Sequence, residues 1–124
     1  MSGFRELRVW KDAKKLAVDI YKITNQNLFS RDFGLRDQIR RAAVSISSNI
    51  AEGDERGTNR ESVRYLYIAK GSLAEVVTQL EIAHEIGYIQ DETLFELIEQ
   101  CSAIGRKLGS LIKARKGKIG LKDE

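Results

Sequence analysis

The 124-residue chain has no proline, one cysteine and one histidine, and each scarcity excludes a class of structure. Without proline, no helix interior loses a backbone donor or meets a clash with the preceding turn. A single cysteine, Cys101, cannot form an internal disulfide, which favours a reducing compartment. Because Cys101 and His84 are too few for a Cys/His zinc site, the sequence predicts no metal and no cofactor.

Long apolar segments are also missing. No apolar run approaches the roughly 18 residues that a membrane-spanning helix needs, and the first residues lack the apolar core of a secretory signal. We therefore expect a cytoplasmic protein that does not cross a membrane. Hydrophobic residues make up 42% of the chain and charged residues 31%, a balance typical of one globular domain at this length.

Charge is distributed in blocks, although the net charge is only +3. Residues 1–50 carry ten basic and five acidic side chains, residues 51–100 carry four and eleven, and residues 101–124 carry seven and two. Blocks of opposite sign favour complementary contacts between helices or between subunits. The alternative is that they are the solvated charged faces of an ordinary helical bundle.

Apolar residues recur three and four positions apart in four segments, which is the spacing of one buried helical face. They predict helices over about 9–27, 34–54, 59–86 and 91–114. Short connections make successive helices antiparallel neighbours. The sequence therefore predicts an all-α, antiparallel up-down-up-down four-helix bundle over residues 1–115, followed by a flexible basic tail over 116–124.

The first and third helices differ in how many of their faces are apolar. In the first helix, a single stripe ends with Tyr21 and Thr24. In the third helix, Leu73 belongs to a core stripe. The apolar residues that lie beyond it are Val63, Tyr67, Ile68, Ala74, Val76 and Ile82. A helix with a surplus apolar face either sits centrally or meets a second chain. This surplus is one reason to expect a homo-oligomer.

Several residues are suited to the ends of helices. Thr58 and Glu61 match a capping box at the start of the third helix, and Asp91 is suited to cap the fourth. Glycine adopts the left-handed backbone conformation that ends helices. Gly87 and the glycines of residues 53–57 therefore predict the ends of the third and second helices.

The sequence offers no catalytic arrangement. Cys101 falls on an apolar stripe, where a free cysteine packs as a small hydrophobic residue. Glu81 and His84 form one Glu-x-x-His motif, but bundles that hold two metal ions use that motif twice. Residues 53–57 lack the Lys-Ser/Thr of a phosphate-binding loop. We therefore assign no catalytic and no metal-binding residue, and an enzyme is the least favoured interpretation.

Basic residues cluster on the first two predicted helices. The six candidates for contact with nucleic acid are Lys11, Lys14, Lys15, Arg36, Arg40 and Arg41. Such clusters bind phosphates because each neutralised phosphate releases counterions. The alternative is structural: Arg36 and Arg40 could instead pair with acidic residues of the third helix. The acidic residues suited to such ion pairs are Glu75, Glu81 and Glu85.

A polar row accompanies the apolar stripe near the end of the second helix. Asn49, Glu52 and Arg56 are spaced three and four residues apart, so they share one helical face. Such a row could form a hydrogen-bonded network between helices or between subunits. The alternative is an ordinary exposed polar strip.

Several segments together form a specific pattern across most of the chain. They are Phe4-Arg5-x-Leu7-x-Val9-Trp10, Gly34-Leu35-x-x-Gln38-Ile39-Arg40-Arg41-Ala42-Ala43-Val44-Ser45-Ile46, Ser48-Asn49-Ile50-Ala51-Glu52-Gly53, Gly71-Ser72-Leu73-x-Glu75 and Gly87-Tyr88. The pattern resembles the four-helix-bundle family of 23S rRNA intervening-sequence proteins. The chain departs from it at Ser30 and Ser47, where members of that family often carry proline.

The resemblance implies an antiparallel bundle that assembles into a ring, commonly a pentamer. Its members were first noticed as reading frames inside insertions of bacterial 23S rRNA genes. A related branch is the accessory variability determinant of diversity-generating retroelements, a basic pentameric barrel that binds nucleic acid and its partner reverse transcriptase.

Two functional hypotheses follow from the residues and the resemblance. The first is a non-enzymatic homo-oligomer whose basic helices contact structured RNA or DNA, with a nucleic-acid-processing protein as a further partner. The second is a protein-interaction scaffold that does not touch nucleic acid. Acidic residues of 51–100 that face the basic residues of a neighbouring subunit would favour the second hypothesis.

Overall fold

The computed structural model describes residues 3–119 and contains four long α-helices. They are α1 (Arg8–Thr24), α2 (Phe33–Glu55), α3 (Asn59–Glu85) and α4 (Asp91–Lys116), with short 3₁₀ helices at Gly3–Glu6 and Asn27–Arg31. No β-strand occurs within the described part of the chain. The prediction of an all-α four-helix bundle is therefore confirmed.

The helix ends differ from the sequence-based predictions at two places. α1 ends at Thr24 rather than near residue 27, because the chain turns into the 3₁₀ helix Asn27–Arg31 and Asn27 has a φ angle of 50°. α4 reaches Lys116, which the sequence assigned to a flexible tail. Residues 117–119 form a turn, and the last five residues of that predicted tail, 120–124, lie outside the described residues.

The apolar stripes of the four helices meet in one core. Leu16, Ile46, Leu80 and Leu108, one from each helix in chain order, are fully buried. Burying one such side chain contributes about 2 kcal/mol to the free energy of unfolding. Among the four pairs of long helices that pack together, α2 and α3 share the most extensive contact and α1 and α4 the least.

Polar contacts supplement the limited apolar contact where α4 closes the bundle against α1. Lys107 forms an ion pair with Asp12, and Gln100 Nε2 donates to Asp19 Oδ2 at 3.0 Å. The partner of Asp12 is residue 107 and the partner of Asp19 is residue 100, so α1 and α4 run in opposite directions. No helix among residues 3–119 is both long and apolar enough to cross a membrane.

The surplus apolar residues of α3 divide into a buried group and an exposed group. Val63 and Val76, which the sequence placed outside the core stripe, are buried at 9% and 0% exposure. Tyr67, Ile68 and Ile82 are instead 42% to 46% exposed. α3 is therefore more deeply packed than one stripe predicts, and it also leaves apolar surface uncovered.

Two of the predicted helix starts have their side-chain caps. Asp32 Oδ1 accepts from the backbone N–H of Leu35 at 3.1 Å, and Thr58 Oγ1 accepts from that of Glu61 at 3.1 Å. The predicted cap at Asp91 is wrong. Asp91 is the first residue of α4, and its Oδ1 lies 2.6 Å from His84 Nε2, so it joins the end of α3 to the start of α4.

Glycine ends α3 but not α2. Gly87 has a φ angle of 89°, the left-handed conformation predicted for it. α2 instead leaves through Arg56 in an extended conformation, and Gly53 lies buried inside the helix. A Cβ atom on Gly53 would lie 2.9 Å from Tyr65 Cβ, so the missing side chain lets α2 and α3 approach closely.

Candidate nucleic-acid interface

A groove of about 750 Å³ lies between α1 and α2. Three cationic side chains, three large apolar side chains and three small or polar residues line it. They are Lys14, Ala17, Val18, Tyr21, Lys22, Asn25, Arg40, Val44 and Ser47. Among the described residues, no Asp or Glu side chain lines this groove. We call this feature the α1–α2 groove; it combines positive charge with apolar surface.

Arg40 joins the two helices that form the groove. Its Nε donates to Thr24 Oγ1 at 2.8 Å, and its guanidinium lies 4.5 Å from the centroid of the Tyr21 ring. Thr24 is fully buried, and its hydroxyl donates in turn to Ile20 O at 2.7 Å. Arg40 is therefore a positioning residue for Tyr21 as well as a cation of the groove.

The assignment of Tyr21 to the buried stripe of the first helix is wrong. Its side chain is 46% exposed, and it lines the groove together with Val18 and Val44, which are also exposed. Tyr21 lies at the edge of the stripe, where α2 presents the guanidinium of Arg40 rather than an apolar side chain. The ring therefore stays at the surface.

Arg36 is engaged at one end of the basic cluster. Its Nε donates to Asp37 Oδ1 and its Nη1 to Ser30 O, both at 3.0 Å, and its guanidinium lies 4.7 Å from the centroid of the Phe33 ring. Its side chain is only 25% exposed. Arg36 therefore holds the connection between α1 and α2 and has little freedom to bind a phosphate.

The alternative partners that the sequence suggested for two arginines are not the ones observed. Among the described residues, neither Arg36 nor Arg40 pairs with an acidic residue of α3. Arg40 instead binds α1, and Arg36 binds the connection and the adjacent Asp37. A structural role exists for both, but it joins α1 to α2.

Arg41, Lys14 and Lys11 keep their charged groups exposed. Arg41 lies beside the α1–α2 groove, in a smaller depression of about 360 Å³ whose other lining residues are Tyr21, Asp37, Arg40 and Val44. Lys14 lines the groove itself, with Nζ 5.0 Å from the centroid of the Trp10 ring. Lys11 is exposed one turn earlier in α1 and does not line the groove.

Lys15 lies on the side of α1 that faces α4. Its Nζ lies 2.8 Å from Asp19 Oδ2, and the same oxygen accepts from Gln100 of α4. Burial raises the pKa of Asp19, but hydrogen bonds from Lys15 and Gln100 and the charge of Lys22 outweigh it, so this pKa lies below its ordinary value. Lys15 therefore belongs to the contact between α1 and α4 rather than to the groove.

The polar row of α2 divides into two separate contacts. Asn49 Nδ2 donates to Ser45 Oγ at 2.9 Å, and Ser45 Oγ also accepts from Ser72 of α3 at 2.9 Å. Directly after the end of α2, Arg56 pairs with Glu52 at 3.1 Å and donates to the hydroxyl of Tyr65 in α3 at 2.6 Å. Both contacts join α2 to α3 within one chain. A role of Asn49, Glu52 and Arg56 between subunits stays a prediction.

Cys101 and His84 are both engaged within the fold of residues 3–119. Cys101 is 2% exposed, and burial raises the pKa of its thiol to about 11. His84 contacts Asp91 between two helix ends. No group of three or more His, Cys, Asp or Glu side chains among the described residues is placed to hold a metal ion.

Sequence reasoning identified Lys14 and Arg40 of the groove and Arg41 beside it, but it missed Lys22 and the apolar part of the groove. A signal was present, because α1 carries Lys14, Val18 and Tyr21 at positions i, i+4 and i+7, a spacing that places residues on one helical face. α2 repeats that spacing with Arg40, Val44 and Ser47. Only the packing of α1 on α2 shows that the two faces meet in one groove.

Comparison with known proteins identifies similar chains. The family model described as 23S rRNA-intervening sequence protein matches residues 5–110, which confirms the resemblance seen in the sequence. One similar chain is a protein of unknown function from the S23 ribosomal protein family of Bacteroides thetaiotaomicron, known from a crystal structure. Its sequence is 27% identical to this chain, and the two structures superpose with a TM-score of 0.78. The match covers 85% of this chain and 98% of that one. A search of curated proteins gives no match.

Proposed function

Because the chain belongs to the family of 23S rRNA-intervening sequence proteins, we propose that it is a non-enzymatic, homo-oligomeric, cytoplasmic protein that contacts structured RNA or DNA. The observation that carries this proposal is the α1–α2 groove, which has cations on both helices and no carboxylate among its described lining residues. Phosphates are attracted to such a surface, and their binding gains free energy from released counterions.

The structure separates the six basic candidates by what each is free to do. Lys11, Lys14 and Arg41 have exposed charged groups, so we assign them to phosphate contact. Arg36 and Arg40 are held by neighbours, and we assign them to the shape of the surface. Lys15 pairs with Asp19 and is assigned to stability.

Self-assembly is the second part of the proposal. It is supported by large apolar side chains that remain exposed away from the groove, among them Ile68, Ile82 and Phe95 at 42%, 46% and 65% exposure. Such side chains favour a partner that removes them from water. We propose that this partner is a second copy of the chain and that the copies form a ring, with a pentamer as the expected size. Light scattering at micromolar concentration tests this, and a monomer would contradict it.

A protein-interaction scaffold is the alternative function, and one surface favours it. Phe95 is the most exposed large apolar side chain of the described residues. Three exposed glutamates, Glu92, Glu96 and Glu99, lie within one helical turn of it. An acidic surface with an aromatic centre suits a basic protein partner. A protein that processes nucleic acid carries basic surface for its phosphates and therefore fits as that partner. Under this alternative the chain would bind such a protein and not the nucleic acid.

The experiment compares binding of the protein, freed of nucleic acid at high salt, to fluorescent structured RNA and duplex DNA across a salt series. A variant with Lys11→Glu, Lys14→Glu and Arg41→Glu removes three of the exposed cations of α1 and α2. We expect its affinity to fall and the slope of log affinity against log salt to decrease by roughly 0.9 for each phosphate that the variant no longer neutralises.

A matched control makes the same change in net charge elsewhere. It carries Arg106→Glu, Lys113→Glu and Lys118→Glu, three exposed cations of α4 and the turn after it. This control is expected to keep most of the affinity. An equal reduction of affinity in both variants would show that only net charge matters, and absence of binding by the unaltered protein at low salt would favour the scaffold.

A further inference from the structure

We propose that the α1–α2 groove receives an unpaired nucleotide, so that this face binds a looped or single-stranded segment rather than a plain duplex. The proposal rests on the proposed nucleic-acid function and names the class of ligand within it. It depends on the apolar side chains of the groove, because a bound phosphate would not contact them favourably.

The cations of the groove suit a phosphate. Lys14 and Lys22 come from α1 and Arg40 comes from α2, so positive charge is supplied from both walls. No described carboxylate lines the groove, and Asp19, which interacts with the charge of Lys22, lies outside that lining. Its volume of about 750 Å³ falls within the ~300–1,000 Å³ of ordinary small-molecule sites.

The apolar residues of the groove suit a base. Val18 and Tyr21 are both 46% exposed and Val44 is 39% exposed, and all three lie among the cations. A duplex presents phosphates and base edges to a protein and hides the faces of its bases in the stack. It would therefore leave these side chains in water, whereas an unpaired base covers them with its face.

Tyr21 is held ready for such contact. The guanidinium of Arg40 lies 4.5 Å from the centroid of its ring and is itself fixed by Thr24. Stacking of one base on an aromatic side chain is worth about 5- to 100-fold in affinity and tolerates any base. Asn25 and Ser47 add polar groups to the lining, which suits the polar edges of a base.

The test measures binding of a short RNA hairpin with an unpaired adenosine-rich loop and of a blunt RNA duplex with the same number of phosphates. The proteins are the unaltered chain, Tyr21→Ala, Tyr21→Phe and Tyr67→Ala. Tyr67 is the matched control, because it is also 46% exposed and lies near a cation, Lys116 at 5.6 Å, but is on α3.

We expect the unaltered protein to prefer the hairpin and Tyr21→Ala to reduce hairpin affinity about 5- to 100-fold, with duplex affinity unchanged. Tyr21→Phe should bind the hairpin as the unaltered protein does. Because Tyr67 belongs to the exposed apolar surface of α3, light scattering first establishes that Tyr67→Ala keeps the assembly state, and this variant should then bind the hairpin fully. Tyr21→Ala should also leave the salt slope unchanged, because it removes no cation, whereas Lys14→Gln should lower that slope by about 0.7 for an unpaired strand.

The outcomes separate this inference from the function on which it rests. Equal binding of hairpin and duplex, insensitive to Tyr21→Ala, would overturn the inference and leave nucleic-acid binding standing. Binding of neither RNA would overturn the proposed function itself. A change of assembly state in Tyr21→Ala, measured by light scattering without RNA, would show that a second copy of the chain occupies the groove and would overturn the inference.

Discussion

The hydroxyl of Tyr88 donates a hydrogen bond to Asp32 Oδ2 at 2.8 Å, across 56 residues of sequence. The other carboxylate oxygen of Asp32 accepts from the backbone N–H of Leu35, where it caps α2. The Tyr88 ring also contacts Phe29, with centroids 5.2 Å apart. One carboxylate thus connects the turn between α3 and α4 to the start of α2.

This relationship predicts a pH-dependent stability. The backbone hydrogen bond from Leu35 and then the hydroxyl of Tyr88 lower the pKa of Asp32 below its ordinary 3.8. A carboxylate whose folded pKa is lowered stabilises the fold fully above its ordinary pKa and loses that effect as pH falls through the folded pKa. We expect Asp32→Asn to lower Tm at pH 7 and to differ less from the unaltered protein near pH 3.

Tyr88 has the opposite pH dependence, because its pKa is raised and that of Asp32 is lowered. Its hydrogen bond to Asp32 raises the pKa of the phenol above its ordinary 10.0. Its contribution is therefore complete below pH 10 and disappears as pH rises through the folded pKa. Thermal unfolding across pH checks both residues. Glu99→Gln, an exposed change on α4, is the control and should show neither effect; equal effects of Glu99→Gln and Asp32→Asn would contradict the assignment.

Two glycines inside helices are expected to respond to alanine with opposite signs. A Cβ atom on Gly53 would lie 2.9 Å from Tyr65 Cβ and 3.2 Å from Ser62 O, so Gly53→Ala must push α2 from α3. Such overpacking costs about 1–3 kcal/mol. Gly71 has no atom within 4 Å of that position, so Gly71→Ala should stabilise α3 by about 0.5–1 kcal/mol. Urea unfolding measures both, and destabilisation by both variants would contradict this account.

Cys101 is expected to be chemically silent in the folded protein. A thiol pKa of about 11 leaves about one molecule in 10⁴ as thiolate at pH 7, and 2% exposure blocks access. A chromogenic disulfide reagent should therefore label Cys101 slowly in buffer and at once in concentrated urea. Rapid, complete labelling of the folded chain would mean that α4 separates from the bundle readily.

The fold could be predicted from the sequence because its determinants are local and repeated. Four apolar stripes and the cap at Thr58 each depend on residues within one or two helical turns. Predictions failed where a residue's partner comes from elsewhere in the chain. Asp91 is placed like a cap but contacts His84, and Gly53 is placed like a helix end but is the point of closest approach to α3.

The candidate site could be predicted only in its charges. The cations of α1 and α2 are evident from the sequence, but their different roles depend on distances between elements. Arg36 and Lys15 are engaged by Ser30 and Asp19, whereas Arg41 is exposed. The exposure of Tyr21 depends on the side chain of α2 that lies against it, which is Arg40. The apolar pattern of α1 alone does not show which residue of α2 that is.

Arg40 provides the test of whether the basic cluster is organised or merely charged. Arg40→Lys keeps the charge but removes the planar group over Tyr21 and the Nε donor to Thr24 Oγ1. Because Thr24 is buried, we expect the free energy of unfolding to fall by about 1–2 kcal/mol. Arg41→Lys makes the same exchange at an adjacent exposed arginine, and urea unfolding should show almost no effect.

The same pair of variants connects stability to binding. If Arg40 positions Tyr21, Arg40→Lys should weaken binding of a looped RNA while the salt slope stays constant, since the number of cations is the same. Arg41→Lys should leave the fold and that slope unchanged. Identical behaviour of the two variants in unfolding and in binding would mean that Arg40 acts as one more surface cation, and that the groove owes its attraction for phosphates to net charge alone.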